Sequence, residues 1–260
     1  MDLTVPPPFQ TFLRGSGSPS AQMRFYRTYI EGFDDAISGG IPEGHVILLS
    51  GPPGTMKSSV AYNILWHNAV ENGSNGVYVT LEQGKPSLEF QMTRMGFDAA
   101  KVADSVHIQD LSRIRRGIEE MRGAARFGAQ PEKPWLDVLK SHLEDVKQSN
   151  PFELLVLDSL PVLEIIAGLR ERRITLFHFF GWLKGLGATS FIVSETLPDP
   201  STVKDEDFLA DGVIHLTMER VGDLDVYRRI RCLKMRGVEH SANIFTLEFK
   251  DGRFRATQVI

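Results

Sequence analysis

Residues 51–59, with the sequence GPPGTMKSS, place small residues, a lysine and two serines in an order that suits phosphate binding. The pattern G-x-x-x-x-G-K-[ST] surrounds phosphates with backbone N–H groups, contacts the β- and γ-phosphates through the lysine, and binds Mg²⁺ through the hydroxyl. A nucleotide site is therefore predicted over the whole loop, which comprises Gly51, Pro52, Pro53, Gly54, Thr55, Met56, Lys57, Ser58 and Ser59.

The loop departs from the pattern at one position, because Met56 stands where the second glycine belongs. If that position needs a positive φ, a side chain there costs about 1–2 kcal/mol. The phosphate donors are backbone groups, so the substitution leaves them in place. We expect nucleotide binding to survive, and the alternative is a glycine- and proline-rich turn that happens to precede a lysine.

Two carboxylates end predicted strands downstream of the loop. Asp158 follows the apolar run LLVL, and Glu82 ends the run VYVTLE. Phosphoryl transfer needs an oriented Mg²⁺ and a positioned water molecule. We therefore assign Asp158 to the magnesium site, together with Ser58, and Glu82 to the role of general base. The alternatives are a turn-capping aspartate and a solvated loop glutamate.

The segments around these residues alternate between strand and helix patterns. Strands are predicted at HVILLSG (45–51), GVYVTLE (76–82), SVHIQDL, FELLVLDSL (152–160) and ATSFIVSET (188–196), with three more segments after an acidic loop. Helices are predicted after the phosphate loop, near 86–96, twice within 112–150, and through 169–186. This alternation predicts an α/β fold with a mostly parallel sheet flanked by helices, and a C-terminal antiparallel β extension.

Composition sets limits on the whole chain. The 260 residues carry a net charge of −4 and a single cysteine, Cys232, so an internal disulfide is excluded and a cytoplasmic setting is expected. No segment is as long and apolar as a membrane span, so no membrane partner is predicted. Residues 1–23 are rich in proline and predict a flexible arm, whereas residues 24–260 predict one large α/β domain.

Several segments taken together resemble the single-domain KaiC-like branch of the RecA superfamily of ATPases. The segment TYIEGFDDAISGGIPEGHVILLSG is similar to the family's entry into its first core strand, and VTLEQ, FLADGVIHL and RRIRCLKMRGVEH are similar to later family segments. The likeness covers residues from about 28 to 257. It implies a RecA-like core, ATP and Mg²⁺ as ligands, and ATPase activity.

The last of these segments resembles a K-x-R-G-x-x-H motif, which falls on Lys234, Arg236 and His240. In the family, the lysine and arginine reach the γ-phosphate of a neighbouring subunit. The resemblance therefore implies a homo-oligomer, a hexameric ring or filament, with nucleotide sites completed in trans. Residues two apart on a strand share a face, which fits this role. A solvated strand edge is the alternative, and His240 is assigned either to nucleotide contact or to shaping the turn.

Two departures from the family pattern lie near the expected γ-phosphate. Met56 replaces a glycine, and Gln83 replaces the second of two glutamates. We therefore expect slow hydrolysis in an oligomeric regulatory ATPase, coupled either to self-assembly or to a regulatory protein partner. The alternatives are a DNA-binding recombinase paralogue and a nucleotide-binding scaffold without significant hydrolysis. DNA is disfavoured because the basic loop at GLRERRIT is offset by the acidic loop LPDPSTVKDEDF.

Overall fold

The computed structural model of the protein describes residues 23–113, 134–169, 171–195 and 205–259. The strands within these ranges are β1 Phe25–Tyr26, β2 Ile30–Glu31, β3 Ile41–Pro42, β4 Val46–Gly51, β5 Gly76–Thr80, β6 Val106–Asp110, β7 Leu154–Asp158, β8 Thr189–Glu195, β9 Gly212–Val221, β10 Asp225–Met235, β11 Phe245–Lys250 and β12 Arg253–Gln258. The helices are α1 Lys57–Asn72, α2 Lys85–Arg94, α3 Trp135–Ser149, α4 Leu160–Ala167, α5 Arg172–Gly185 and α6 Asp205–Leu209.

One large sheet organises the described chain. Its strand order is β2-β12-β11-β10-β9-β4-β8-β7-β5-β6, and β1 pairs separately with β3. The strands from β9 through β4 to β6 are parallel, whereas β9 to β12 run antiparallel to one another. The predicted α/β class, with a mostly parallel sheet and a C-terminal antiparallel extension, is confirmed.

Helices cover both faces of this sheet because its central strands are apolar on both sides. The strand β4 is buried along its whole length. Its alternate residues Ile47 and Leu49 pack with α1 and α2, while Val46 and Leu48 pack with α3, α4 and α5. The phosphate loop therefore lies at the carboxyl edge of a strand that is fixed from both faces.

Several predicted elements need correction. The predicted strand 76–82 ends at Thr80, so Glu82 follows the strand, and α4 occupies residues that were not predicted to be helical. Part of the predicted acidic loop forms α6, because the side chain of Glu206 is buried and Lys234 binds the helix carbonyls. Short strands β1 to β3 also precede the first predicted strand.

Some predictions fall outside the described residues. These are nearly all of the N-terminal arm (residues 1–22), the first of the two helices within 112–150, whose predicted span lies largely in residues 114–133, and the part of the acidic loop at 197–204. In the described ranges, no helix has the length and apolar character required to cross a membrane.

Candidate nucleotide-binding site

The loop between β4 and α1 has positive φ values at both glycine positions of the phosphate-binding pattern. Gly51 has φ +153° and approaches β9 so closely that a Cβ there would lie 2.2 Å from the carbonyl oxygen of Leu216. Met56 adopts the left-handed conformation, with φ +71°, immediately before α1 begins. The second glycine of the pattern would therefore stand at a position whose left-handed backbone favours glycine. Met56 occupies that position here and bears the associated strain.

Hydrogen bonds within the loop fix the lysine over it. The hydroxyl of Thr55 and the ammonium of Lys57 both donate to the carbonyl oxygen of Pro52, at 2.8 and 2.9 Å. Lys57 is buried, and burial lowers its pKa, although the carboxylates of Glu195, Asp158 and Glu82 oppose that shift. A phosphate group placed beside Lys57 would favour its charged form further.

Three carboxylates lie near Lys57 because the neighbouring parallel strands end at the same edge of the sheet. Gly51 lies opposite Glu195 on β8, and Val193 of that strand lies opposite Asp158 on β7. Asp158 in turn lies opposite Thr80 on β5, two residues before Glu82. The strand order β4-β8-β7-β5 thus brings the loop and three acidic side chains together.

Asp158 is held by groups that orient its carboxylate. The hydroxyl of Tyr78 donates to Oδ2 of Asp158 at 2.5 Å. Burial raises the pKa of Asp158, while hydrogen bonds from Tyr78 and Ser58 oppose the rise. A buried carboxylate beside a serine hydroxyl supplies the hard oxygen ligands that Mg²⁺ takes together with nucleotide phosphates. Ser58 and Asp158 therefore fit a magnesium ion at this position.

Glu82 is oriented by a residue of the adjacent strand end. The hydroxyl of Ser159 donates to Oε1 of Glu82 at 2.7 Å. The neighbouring Gln83 turns toward α2, where its amide donates to Ser87 at 2.9 Å and to Gln91 at 3.2 Å. The two side chains of the VTLEQ segment thus have different surroundings, and Glu82 faces the phosphate loop.

A single cavity of about 370 Å³ joins these groups. Its lining residues are Pro53, Gly54, Met56, Lys57, Ser58, Ser59, Glu82, Gln91, Met95, Asp158, Ser159, Val193 and Glu195. The remaining predicted loop residues, Gly51, Pro52 and Thr55, shape the loop beneath it. The cavity thus brings together Lys57, other residues of the predicted phosphate loop, the proposed magnesium ligands and the proposed base.

The other predicted residues lie elsewhere. The backbone N–H of Arg236 donates to the carbonyl of Asp211, and the N–H of Asp211 donates to the carbonyl of Val46, at 2.9 and 2.8 Å. Val46 begins β4, whereas Gly51 ends it. Five residues of strand separate these levels by about 16 Å. Lys234 and Arg236 are therefore not brought to the phosphate loop of their own chain.

These two cations bind the end of α6 instead. Lys234 Nζ donates to the carbonyls of Asp207, Phe208 and Ala210 at 2.9, 3.2 and 2.7 Å. Arg236 donates to Asp211 Oδ1 at 3.0 Å and to the carbonyl of Phe208 at 3.3 Å. Both side chains reach the carbonyl of Phe208. The prediction that they share a strand needs correction, because β10 ends at Met235 and Arg236 lies in the turn that follows.

His240 is not brought to the cavity in this chain either. Its Nδ1 is buried, and no residue in the described ranges forms a hydrogen bond with it. The described residues therefore give Nδ1 of His240 no hydrogen-bonding role.

Sequence reasoning missed several residues of the site: Tyr78, Ser159, Gln91, Met95, Glu195 and Arg228. Glu195 had the same signal as Asp158, since it ends a buried strand. Ser159 follows Asp158 directly. Arg228 had no such signal, because it lies on a hairpin strand that is distant in sequence from the loop. Its guanidinium donates to the carbonyl of Gly54, with a donor–acceptor distance of 3.1 Å.

Comparison with known proteins places this site in a family. A model described as "ATPase: KaiC" matches residues 26–255. The chain belongs to the KaiC ATPase family. This confirms the KaiC-like resemblance and the expectation of a RecA-like, nucleotide-binding ATPase core.

Individual relatives are similar to this KaiC-family chain over nearly its whole length. A UPF0273 protein of Aeropyrum pernix is 33% identical over 235 residues, which cover 86% of this chain and 90% of that protein. A UPF0273 protein of Pyrococcus furiosus is 28% identical over 239 residues, covering 88% and 92%. The crystal structure of a KaiC-like protein from Pyrococcus horikoshii OT3 superposes with a TM-score of 0.74 at 27% identity, covering 90% of this chain and 99% of that one.

Proposed function

We propose that the protein binds ATP with Mg²⁺ and hydrolyses it slowly, as a homo-oligomeric regulatory ATPase whose sites are completed between subunits. The observation that carries this proposal is that Lys57 and Arg236 lie far apart within one chain. Lys57 lines the acidic cavity, whereas Arg236 lies level with the opposite end of β4. A neighbouring subunit supplies the second set of cations.

Within one chain the roles follow from position. The loop amides and Lys57 hold the phosphates, with Lys57 directed at the β- and γ-phosphates. Ser58 and Asp158 would hold Mg²⁺, which would supply neutralising charge for the transferred phosphoryl group. Glu82, held by Ser159, accepts the proton of the attacking water.

The proposal of slow turnover rests on two departures from the family pattern, Met56 in the cavity lining and Gln83 beside it. Met56 carries backbone strain next to the expected phosphates. Gln83 stands where the family pattern described above has a second glutamate, and its amide turns toward α2, where it donates to Gln91 of the cavity lining. Neither feature removes a phosphate donor. ATP binding is therefore retained, and the protein acts as a nucleotide-dependent switch toward a regulatory partner.

DNA is not part of this proposal. Among the arginines of the GLRERRIT segment, Arg172 donates to Glu164 at 2.9 Å and to the buried Glu206 at 2.8 Å. It thereby joins α4, α5 and α6 and is engaged within the fold. Arg170 and the arginines between residues 114 and 133 lie outside the described residues.

The proposal is tested by calorimetry and phosphate release. ATP should bind in the presence of Mg²⁺, and turnover per chain should rise with protein concentration as subunits assemble. The variant Lys57→Ala should lose ATP binding, since it removes the side-chain charge directed at the phosphates. Unchanged binding by Lys57→Ala would remove the loop from the account, and binding without phosphate release would favour a scaffold.

A further inference from the structure

Gln91 supplies the one amide side chain among the described residues that line the nucleotide cavity. It lies on α2, which is anchored in the fold because Leu88 and Met92 are buried in the core. The backbone N–H of Lys85, at the start of the same helix, donates to Oδ2 of Asp110 at 2.8 Å. Gln91 therefore projects from a fixed helix and stands half-buried in the cavity wall.

The neighbouring Gln83 determines which end of this amide faces the cavity. The amide nitrogen of Gln83 donates to the hydroxyl of Ser87 at 2.9 Å and to Oε1 of Gln91 at 3.2 Å. Both hydrogens of the Gln83 –NH₂ group are thereby used. The carbonyl end of the Gln91 amide is turned toward Gln83, so its –NH₂ group is left for the cavity.

The other groups of the cavity favour the same orientation. The carboxylates of Glu82, Asp158 and Glu195 accept hydrogen bonds, as the oxygen atoms of a bound phosphate do. An amide carbonyl directed at them would be repelled, whereas an –NH₂ group can donate to them. Lys57 is the one cationic side chain among the described lining residues, so a further donor in this wall would add to the groups that hold a phosphate.

The position of Gln91 relative to Glu82 indicates which phosphate it meets. Gln83, which contacts Gln91, directly follows Glu82 in the chain. The proposed base acts on the water that attacks the γ-phosphoryl group, so Glu82 marks the end of the phosphate chain farthest from the nucleoside. Gln91 thus lies on the side of the cavity that the γ-phosphate of ATP would occupy and that ADP would leave empty.

We propose that Gln91 donates a hydrogen bond to the γ-phosphate of ATP, and that Gln83 sets the polarity of this contact. The inference rests on the proposed function and names the residues by which the site distinguishes ATP from ADP. A glutamate at position 83 would accept from the –NH₂ group of Gln91 and turn its carbonyl toward the phosphate. The glutamine found here keeps the donor on the cavity side, which favours retention of ATP.

Calorimetry with ATP and with ADP, each in the presence of Mg²⁺, tests the contact. Gln91→Leu keeps a side chain of similar size but removes the donor. It should lower ATP affinity about tenfold, because a hydrogen bond to a charged group is lost. Its ADP affinity should be nearly unchanged, which also shows that the loop is folded. The matched control is Gln148→Leu at an exposed position of α3, which should change neither affinity.

A double-mutant cycle tests the polarity. Gln83→Glu should lower ATP affinity relative to ADP affinity, because it reverses the amide of Gln91. In the Gln91→Leu background the same substitution should have little further effect on the ratio of the two affinities, since no amide remains to be reversed. An equal loss in both backgrounds would show that the introduced charge acts on the phosphate directly, and would overturn the role given to Gln83.

The outcomes for Gln91 are equally distinct. An unchanged ratio of ATP to ADP affinity in Gln91→Leu, or an equal loss of affinity for both nucleotides, would overturn its assignment to the γ-phosphate. A parent protein that binds neither ATP nor ADP would instead contradict the proposed function itself.

Discussion

The hydroxyl of Ser159 donates a hydrogen bond of 2.7 Å to the carboxylate of Glu82, although the two residues are 77 positions apart in the chain. The contact forms because β5 and β7 are neighbours in the sheet and end at the same edge. Ser159 is buried and directly follows Asp158, the proposed magnesium ligand. The end of β7 and the residue after it therefore position both the proposed metal ligand and the proposed base.

Replacement of the base should separate binding from chemistry. Glu82→Gln should leave ATP affinity nearly unchanged, because the phosphates are held by the loop and Lys57. Its turnover should fall by about 10²–10⁴-fold, since an amide does not accept the proton of water. Single-turnover phosphate release together with calorimetry measures both quantities. Parental turnover in this variant would identify Glu82 as an ordinary loop carboxylate.

Ser159→Ala tests the orientation of that base. Loss of one hydrogen bond should reduce kcat several-fold, with little change in ATP affinity, because Glu82 is retained but less firmly held. Ser159→Thr keeps a hydroxyl and should restore part of the lost rate. If both variants lower ATP affinity and kcat equally, Ser159 supports the fold of the loop and does not position Glu82.

Because the carboxylate of Asp158 is buried, we expect it to lower the stability of the ligand-free fold and to stabilise the fold when Mg²⁺ and ATP are bound. Burial raises its pKa above the usual 3.8, so the folded chain holds this proton more tightly than the unfolded chain does. The resulting stabilisation is present below that usual pKa and is lost as pH rises through the raised value. Asp158→Asn should therefore gain stability relative to the parent as pH rises, with no metal or nucleotide present.

Denaturant unfolding of both proteins across acidic to neutral pH measures this difference. With ATP and Mg²⁺ at neutral pH the order should reverse, since only the parent keeps the metal ligand and gains stability from binding. A difference that does not vary with pH in the absence of ligands would show that Asp158 is not destabilised by burial.

Met56→Gly restores the residue that the loop pattern contains. Glycine adopts φ +71° without strain, so ATP affinity should be kept or increased. Met56→Ala is the control, because it removes the thioether but keeps the Cβ that causes the strain. Calorimetry compares the three proteins. A large loss of affinity in Met56→Gly, but not in Met56→Ala, would show that backbone freedom harms the loop.

The sequence alone identified those cavity residues that lie within short local patterns. The phosphate loop and the ends of β4 and β7 are short patterns in which a buried strand leads directly to a polar residue. The assignments of Lys57, Ser58 and Asp158 needed only those patterns. Their meeting in one cavity follows from the shared carboxyl edge of parallel strands.

Other features depend on strand order and could not be read from short patterns. Tyr78 reaches Asp158 only because β5 lies beside β7, and Arg228 reaches Gly54 only because the hairpin of β9 and β10 lies beside β4. The helix α6 forms within an acidic segment because Glu206 pairs with Arg172 of α5. Such long-range contacts override the local composition.

Complementation between two inactive variants tests the shared site most directly. Arg236→Ala should bind ATP through its intact loop but hydrolyse it poorly, and Glu82→Gln should lack the base. Arginine fingers contribute roughly 10³–10⁵-fold to rate, so each variant alone should be nearly inactive. In mixed assemblies, an intact Glu82 cavity on one subunit lies beside an intact Arg236 on its neighbour. Phosphate release should then recover in part, whereas no recovery in mixtures shown to co-assemble would contradict a site completed between subunits.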